Sequence, residues 1–418
     1  MNTLHTPAAA GRRSPRLLMP MLLVGNLLLF SFYGGVIGIL LPLQVENVDA
    51  ADKVTNLGIV TGIGAVFATL LNPIGGALSD RTRSRFGRRN PYLLGGAVLT
   101  LVFAAGMGAA EVIPLLIVGW CLAQGMGNVY QAALTAIVPD RVPAERRGSA
   151  SAIMGIGQQG GLLLGIVVAG RFTGSILLGY VVLGAMLVAA AVLMAVCTHD
   201  PRPDELPKDA DAVRPGLRDN LASFLSALRH DDFRWVFAGR ALMIFGYFLI
   251  IGYLLYLLKD HIGVPDGMEP ADGVAVITLV STVSMIVCTA IGGPLSDRLD
   301  RRKTFVLVAG LGSAASLLLP LLSPNWATML VFAALSGAFF GVYMAVDTAI
   351  VTLVLPRQED AARDMGVLNM ANAGPQIVAP FAAALVIGLL GGYPTLFAVA
   401  AIASLAGAVA ILPVKGVR

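Results

Sequence analysis

Charge is scarce in this chain. Only 13% of its 418 residues are Asp, Glu, Lys or Arg, where a soluble domain carries about 25%. Hydrophobic residues make up 56%, in runs too long and too many for one water-soluble core. Cysteine is scarcer still. Cys121, Cys197 and Cys288 are far apart and lie in or at the ends of apolar runs, which gives neither a disulfide framework nor metal-ligand spacing. There is no phosphate-binding glycine loop, no metal cluster and no nucleophile set. ATP-driven transport and membrane enzymology therefore have no support, and no cofactor or metal is expected. The net charge of +4 is no footprint for nucleic acid, because its distribution has a simpler cause.

Long apolar stretches are present instead. Twelve runs lie near 17–43, 54–78, 91–110, 113–138, 149–170, 174–197, 233–258, 274–296, 304–322, 326–355, 365–388 and 394–414. Each approaches or exceeds the ~20 residues that cross a bilayer as a helix. In hydrocarbon only helices and closed barrels satisfy their backbone hydrogen bonds, and these runs are too uniformly apolar for barrel strands. The expected fold class is an all-α membrane protein with twelve transmembrane helices.

With the N-terminus taken as cytoplasmic, 25 of the 29 Lys and Arg fall in cytoplasmic segments. Lys53, Arg171 and Lys259 lie on the other side, and Arg240 lies within a span. This positive-inside bias predicts a multi-pass protein of the cell (plasma or inner) membrane with both termini cytoplasmic. The start, GRRSPR before an apolar run, imitates a signal peptide, but the run is too long and reads as the uncleaved first helix.

The longest polar stretch, 198–232, divides the spans six and six. The expected organisation is a cytoplasmic tail over 1–16, a six-helix bundle over 17–197, a linker over 198–232, a second six-helix bundle over 233–414 and a tail over 415–418. The linker begins rich in Pro, Asp and Arg. It then places Leu217, Leu221, Phe224, Leu225 and Leu228 on one face, as a short helix lying on the membrane surface does; a passive connector is the simplest role for it.

The two halves repeat each other. GGALSDR at 75–81 recurs as GGPLSDR at 292–298. Asn26 with Tyr33 seven residues on corresponds to Arg240 with Tyr247 seven on, and Arg147 corresponds to Arg363, which sets Gln131 opposite Asp347. The offsets, 217, 214 and 216 residues, agree closely.

The densest charge follows the first of these repeats. Asp80 to Arg89 holds five arginines and one aspartate between two spans. Arg88 and Arg89 can pair with Asp80 or with the helix end, and glycines at 75 and 76 allow close helix approach. A G-x-L-S-D-R…G-R-R loop after the second helix, repeated in weaker form after the eighth, resembles the loop motif of the major facilitator superfamily. The resemblance covers essentially the whole chain and implies two pseudo-symmetric six-helix bundles. It assigns Gly76, Asp80, Arg81, Gly87, Arg88 and Arg89 in the first half, and Asp297, Arg298, Arg301 and Arg302 in the second, to a cytoplasmic gate. That gate latches the two halves and favours the outward-open state. Five residues separate Asp80-Arg81 from Gly87-Arg88, where one is usual. This expanded form, DRTRSRFGRRNPY, is similar to loops of sugar–cation symporters, the glycoside–pentoside–hexuronide group and the sucrose carriers.

One acidic and one basic residue lie inside spans. Arg240 and Asp347 each sit about 10–13 Å deep at 1.5 Å per residue. Intramembrane charges are costly and normally paired or wet. The resemblance implies a central cavity lined by helices 1, 4, 7 and 10, so the two are expected to face each other, either as a coupling site or as a static pair. A carboxylate held by Arg can take a proton only when the pair separates. Polar residues share the faces of these helices and of helices 5 and 11: Asn26, Tyr33, Gln124, Asn128, Gln131, Gln158, Tyr247, Tyr343, Asn369 and Asn372. Amides and phenols can bond hydroxyls while rings stack on a sugar. The expectation is a monomeric secondary transporter in the lipid bilayer, moving a small polar solute, a sugar or glycoside, coupled to a proton or monovalent cation. The alternative is a proton-driven exporter of drugs or metabolites.

Overall fold

A computed structural model describes residues 17–82, 84, 86–198, 200, 230–354 and 361–414. Among them are twelve helices long and apolar enough to cross a membrane, and no strand. They are α1 Leu18–Val48, α2 Lys53–Arg81, α3 Asn90–Gly108, α4 Ile113–Arg141, α5 Arg147–Gly170 and α6 Ile176–Cys197. The second set is α7 Asp231–Ile251, α8 Pro270–Leu299, α9 Arg302–Leu322, α10 Trp326–Val354, α11 Ala361–Leu389 and α12 Gly392–Val409. Several run beyond the apolar stretch that announces them, because the backbone ladder continues past the first charged residue. α2, for example, carries the Ser79-Asp80-Arg81 motif on its last turn. The surface helix expected over 217–228 lies outside the described residues.

Packing repeats with a period of six helices. α1 packs on α5 and α6, α2 on α4, and α3 on α4 and α6; α7 packs on α11 and α12, α8 on α10, and α9 on α10 and α12. The halves meet along two seams, α2 with α11 and α5 with α8, which exchange under the same repeat.

Small residues set the closest crossings. On α5, Gly157, Gly161 and Gly165 face α1, where a Cβ at any of them would strike backbone of Leu23, Leu27 or Ser31. α1 answers with Gly34 and Gly35 and widens into one π-turn over Val36–Leu40. On α10, Gly337 and Gly341 sit against the carbonyls of Ser281 and Met285 of α8. Without a hydrophobic drive between helices in lipid, such close backbone contact supplies much of the attraction. Gly374-Pro375, a candidate hinge by sequence, stays inside α11, whose helix continues past it.

Candidate functional site

A cavity of about 240 Å³ lies between the two halves. α1 and α5 form one wall, with Tyr33, Ile37, Gln159 and Ile166; α7, α8 and α10 form the other, with Met243, Tyr247, Met285 and Phe340. A recess reaches Ser313 of α9 and Ser404 of α12. No charged side chain is among the lining residues. The Tyr247 ring stacks on Phe340 at 4.1 Å between centroids and 7° between planes. Tyr33, its partner by the repeat, has Phe30 and Phe32 edge-on. The Tyr33 hydroxyl accepts a hydrogen bond from Asn128 Nδ2 at 3.1 Å, and Asn72 Nδ2 donates to Asn128 Oδ1 at 3.3 Å. Polar groups on α2 and α4 thus reach the cavity through one phenol.

Of the ten residues expected to face the route, Tyr33 and Tyr247 line this cavity. Asn26 is buried and donates to its own helix at Leu22 O, 3.2 Å away. Gln124 packs beside Trp120 against Gly64, with its carbonyl oxygen buried and unpartnered. Asn128 acts through Tyr33, and half-buried Gln131 is outside the lining. Gln158 is exposed, and Gln159 takes the place expected for it. The glycine stripe on α5 explains this. Residues 157, 161 and 165 must face α1, and that phase turns 159, 162 and 166 into the cavity. The side chain of Asn369 lies outside the described residues.

Tyr343, Asn372, Arg240 and Asp347 come together in a second place. Arg240 Nη1 lies 3.0 Å from Asp347 Oδ2, Arg240 Nε donates to Asn372 Oδ1 at 2.8 Å, and the Tyr343 hydroxyl donates to Asp347 Oδ1 at 3.0 Å. The Arg240 and Asp347 side chains are only 11% and 6% exposed. Oδ2 accepts no well-aligned hydrogen bond among the described residues, so it is held by charge proximity alone. A void of about 10 Å³ adjoins the pair, between Trp235, Val306 and Gly407. That is room for at most one water.

At the end of the bundle that carries the arginine-rich loops, the basic end, Asp80 pairs with Arg88 at 3.0 Å and with Arg89 at 2.8 Å. Arg89, 2% exposed, also bonds Asp140 at 2.8 Å and the Ser79 hydroxyl. Asp200 pairs with Arg141, and its Oδ2 accepts from the backbone N–H of Arg89 at 2.6 Å and of Asn90 at 2.8 Å. It thereby caps the start of α3 from a distant part of the chain. Gly87 turns the loop at φ +97°, and a Cβ there would collide with Asp200. Gly75 abuts Val129, whereas Gly76 has only the Ala132 methyl near it, and Arg81 is exposed. In the second half Asp297 pairs with Arg302 at 2.8 Å, and Arg301 precedes the first turn of α9. None of these ion pairs joins one half to the other: they lie within a half or, for Arg141–Asp200, tie the first half to the start of the linker, whereas the family resemblance implies a latch between halves. Sequence reasoning missed Asp140 and Asp200, whose signal is an aspartate beside an arginine or proline at a helix end.

It also missed the opposite end. There Lys53 Nζ lies 2.9 Å from Glu46 Oε1 and 2.9 Å from Asp260 Oδ1, and Lys259 Nζ lies 2.8 Å from Glu46 Oε2. Tyr393 donates to Asp260 at 2.7 Å and Tyr256 to Pro42 O at 2.7 Å. The Tyr253 hydroxyl sits 3.1 Å from both Val54 O and Pro380 O. Lys53 Nζ also lies 4.8 Å from the centre of the Tyr256 ring, a cation–π contact. Lys53–Asp260, Lys259–Glu46 and Tyr256–Pro42 all cross from one half to the other. Two of the three exceptions to the positive-inside count are therefore the cations of this bridge. His261 stacks on Tyr393 at 5.9 Å, and burial holds its imidazole below the usual histidine range.

A model of the Major Facilitator Superfamily matches residues 21–291 and 270–417. Over 333 residues the chain is 24% identical to the MFS transporter asaE of Aspergillus flavus, covering 78% of this chain and 70% of that protein. It is 26% identical over 159 residues to the multi-drug resistance efflux pump PmrA of Streptococcus pneumoniae, covering 37% of this chain and 38% of the pump. A 46-residue segment is 52% identical to an uncharacterized symporter of Synechocystis, covering 11% of this chain and 8% of that protein. Among solved structures, a single-site mutant of the nucleoside transporter NupG matches with a TM-score of 0.76 and 12% identity, over 95% of this chain and 99% of that one. A bacterial homolog of the human lysosomal transporter Spinster, inward-facing and unoccupied, matches with a TM-score of 0.65 and 15% identity, over 96% and 95%.

Proposed function

The chain belongs to the major facilitator superfamily, and on that premise we propose that it exports an uncharged, largely apolar organic solute in exchange for protons. The carrying observation is the wall of the central cavity, which is aromatic, aliphatic and thioether in character, with no charged side chain. Such a wall favours solutes that lose little hydration on entry. Its rings offer stacking faces, and its hydroxyls and the Gln159 amide are set among a larger apolar lining, which suits one or two hydrogen bonds better than the many that a sugar needs. The likeness to an efflux pump over part of the chain supports the same reading. Both termini and the arginine-rich loops face the cytoplasm of the cell membrane in this account, as the positive-inside bias supports, and the transporter works as a monomer.

Arg240 and Asp347 supply the coupling. Parting them strands two charges in a buried place, which costs several kcal/mol, and a proton on Asp347 removes part of that cost. The unaligned contact at Oδ2 makes this pair easier to part than a bidentate one. Tyr343 and Asn372 remain to hold each partner after separation.

A second reading, sugar–cation symport, rests on the expanded DRTRSRFGRRNPY loop and on the short match to a symporter. Transport into inverted vesicles separates the two. Nile red is expected to accumulate when the lumen is acidic, the gradient that drives exchange, and labelled methyl galactoside is not expected to accumulate when the lumen is alkaline, the gradient that drives symport inward. Asp347→Asn is expected to abolish the dependence on the gradient. Sugar accumulation with an alkaline lumen, without dye accumulation with an acidic one, would overturn the exporter reading in favour of symport.

A further inference from the structure

We propose that Gln159 reads a hydrogen-bond acceptor on the transported solute, and that in doing so it lets go of the other half of the molecule. The inference rests on the central cavity being the solute site. It assigns the solute class more narrowly, to uncharged planar ring compounds that bear a carbonyl.

Gln159 Nε2 donates across the α5–α8 seam to Met285 Sδ at 3.4 Å. Both side chains line the cavity, one from each half. A thioether is a weak acceptor, and a carbonyl oxygen in the cavity offers the amide a stronger one. Two serine hydroxyls of the wall hold backbone acceptors instead. The Ser281 hydroxyl donates to Ala333 O at 3.1 Å and the Ser336 hydroxyl to the same carbonyl at 3.4 Å. The Tyr33 oxygen already receives the Asn128 amide. Of these hydrogen bonds of the wall, the Gln159 bond has the weakest acceptor and joins the two halves, and it stands within the same cavity as the stacked Tyr247 and Phe340 rings that would hold a flat skeleton.

The transfer has a mechanical consequence. Met285 belongs to a helix fixed to its own half: Thr289 Oγ1 donates to Gly341 O at 3.0 Å, and Gly337 and Gly341 pack directly on α8 backbone. When Gln159 turns to the solute, a bond between halves at mid-depth is replaced by one between the solute and the first half alone. A ligand shifts a conformational equilibrium only by what it binds differently in the two states. Here that difference is the Gln159 N–H now on sulfur; the amide has a second N–H, so unchanged fluorenone affinity in Met285→Leu, the sign of a solute held by that second N–H, overturns the release.

Fluorene and 9-fluorenone test this, since they share a planar skeleton and differ by one carbonyl. Apparent affinities are read from thermal midpoints of the full-length purified protein against ligand concentration. Wild type is expected to prefer fluorenone by about tenfold, the effect of roughly 1.4 kcal/mol. Gln159→Leu is expected to lose that preference while its fluorene affinity stays within about threefold, a margin of roughly 0.6 kcal/mol. Met285→Leu, which removes the competing acceptor, is expected to keep the preference and tighten fluorenone binding. The unliganded midpoint of each variant reports its folding. A preference that survives in Gln159→Leu, or that vanishes in Met285→Leu, overturns the role of Gln159 while leaving the apolar cavity intact. Failure of both compounds to stabilise wild type overturns the cavity reading itself, and this inference with it.

Discussion

The two ends of the bundle use charge in opposite ways. At the basic end, Asp80, Arg88, Arg89, Asp140, Arg141 and the linker's Asp200 form pairs that do not reach the second half, and Asp297–Arg302 stays within the second. At the opposite end, Lys53–Asp260 and Lys259–Glu46 join one half to the other. The first arrangement ties helices of one half to one another, and the second ties the two halves together. The extremes differ in burial, Arg89 being 2% exposed and the Lys259 side chain 42%, although Lys53 and Glu46 are mostly buried and Asp297 is exposed.

Substitutions at the two ends should therefore differ in kind. The largest loss is expected for Arg89→Ala, which leaves Asp80 and Asp140 facing each other without their buried cation. Breaking such a pair costs about 3–5 kcal/mol, read as a collapse of the thermal midpoint and of monodisperse yield. Asp200→Asn comes next. It removes the charge partner of Arg141 and weakens the cap on α3, at about 1.5–3 kcal/mol for hydrogen bonds to a charged group. Lys53→Ala should cost at most about 1 kcal/mol of stability, as partly exposed pairs do, yet change transport kinetics far more than the other two relative to that cost. Lys259→Ala, more exposed still, should do least, with its residual effect lost as salt is raised to screen it. Equal stability losses at the two ends would erase the distinction.

The fold was legible because its signals are local and redundant. Twelve apolar runs, a biased distribution of arginine and a repeated SDR motif each point to the same twelve-helix plan. The Arg240–Asp347 contact was legible for a related reason: a lone cation and a lone anion in apolar spans have few other partners. The cavity wall was far less so. Which of Gln158 and Gln159 faces the solute depends on helix rotation, and that is set by where Gly157, Gly161 and Gly165 must touch α1. The amides of Asn26, Gln124 and Asn128 looked available by pattern, yet they are engaged by their own helix, by packing or by Tyr33. The bridge at the opposite end combines Glu46 and Lys53, at the facing ends of α1 and α2, with Lys259 and Asp260 of the turn beyond α7. Along the chain they read only as stray charges on the wrong side.

The central claim is that two rigid halves rock about the cavity while the Lys53–Glu46–Asp260–Lys259 cluster holds one end shut. Spin-label distances test it most directly, in a chain with Cys121, Cys197 and Cys288 replaced by serine. One label pair at Asp52 and Asp266 spans the halves at the opposite end, and another at Glu145 and Asp300 spans them at the basic end; all four positions are exposed. The account predicts that Lys53→Ala lengthens the Asp52–Asp266 distance and shortens the Glu145–Asp300 distance in the same sample. Two distances that stay fixed, or that lengthen together, would contradict it.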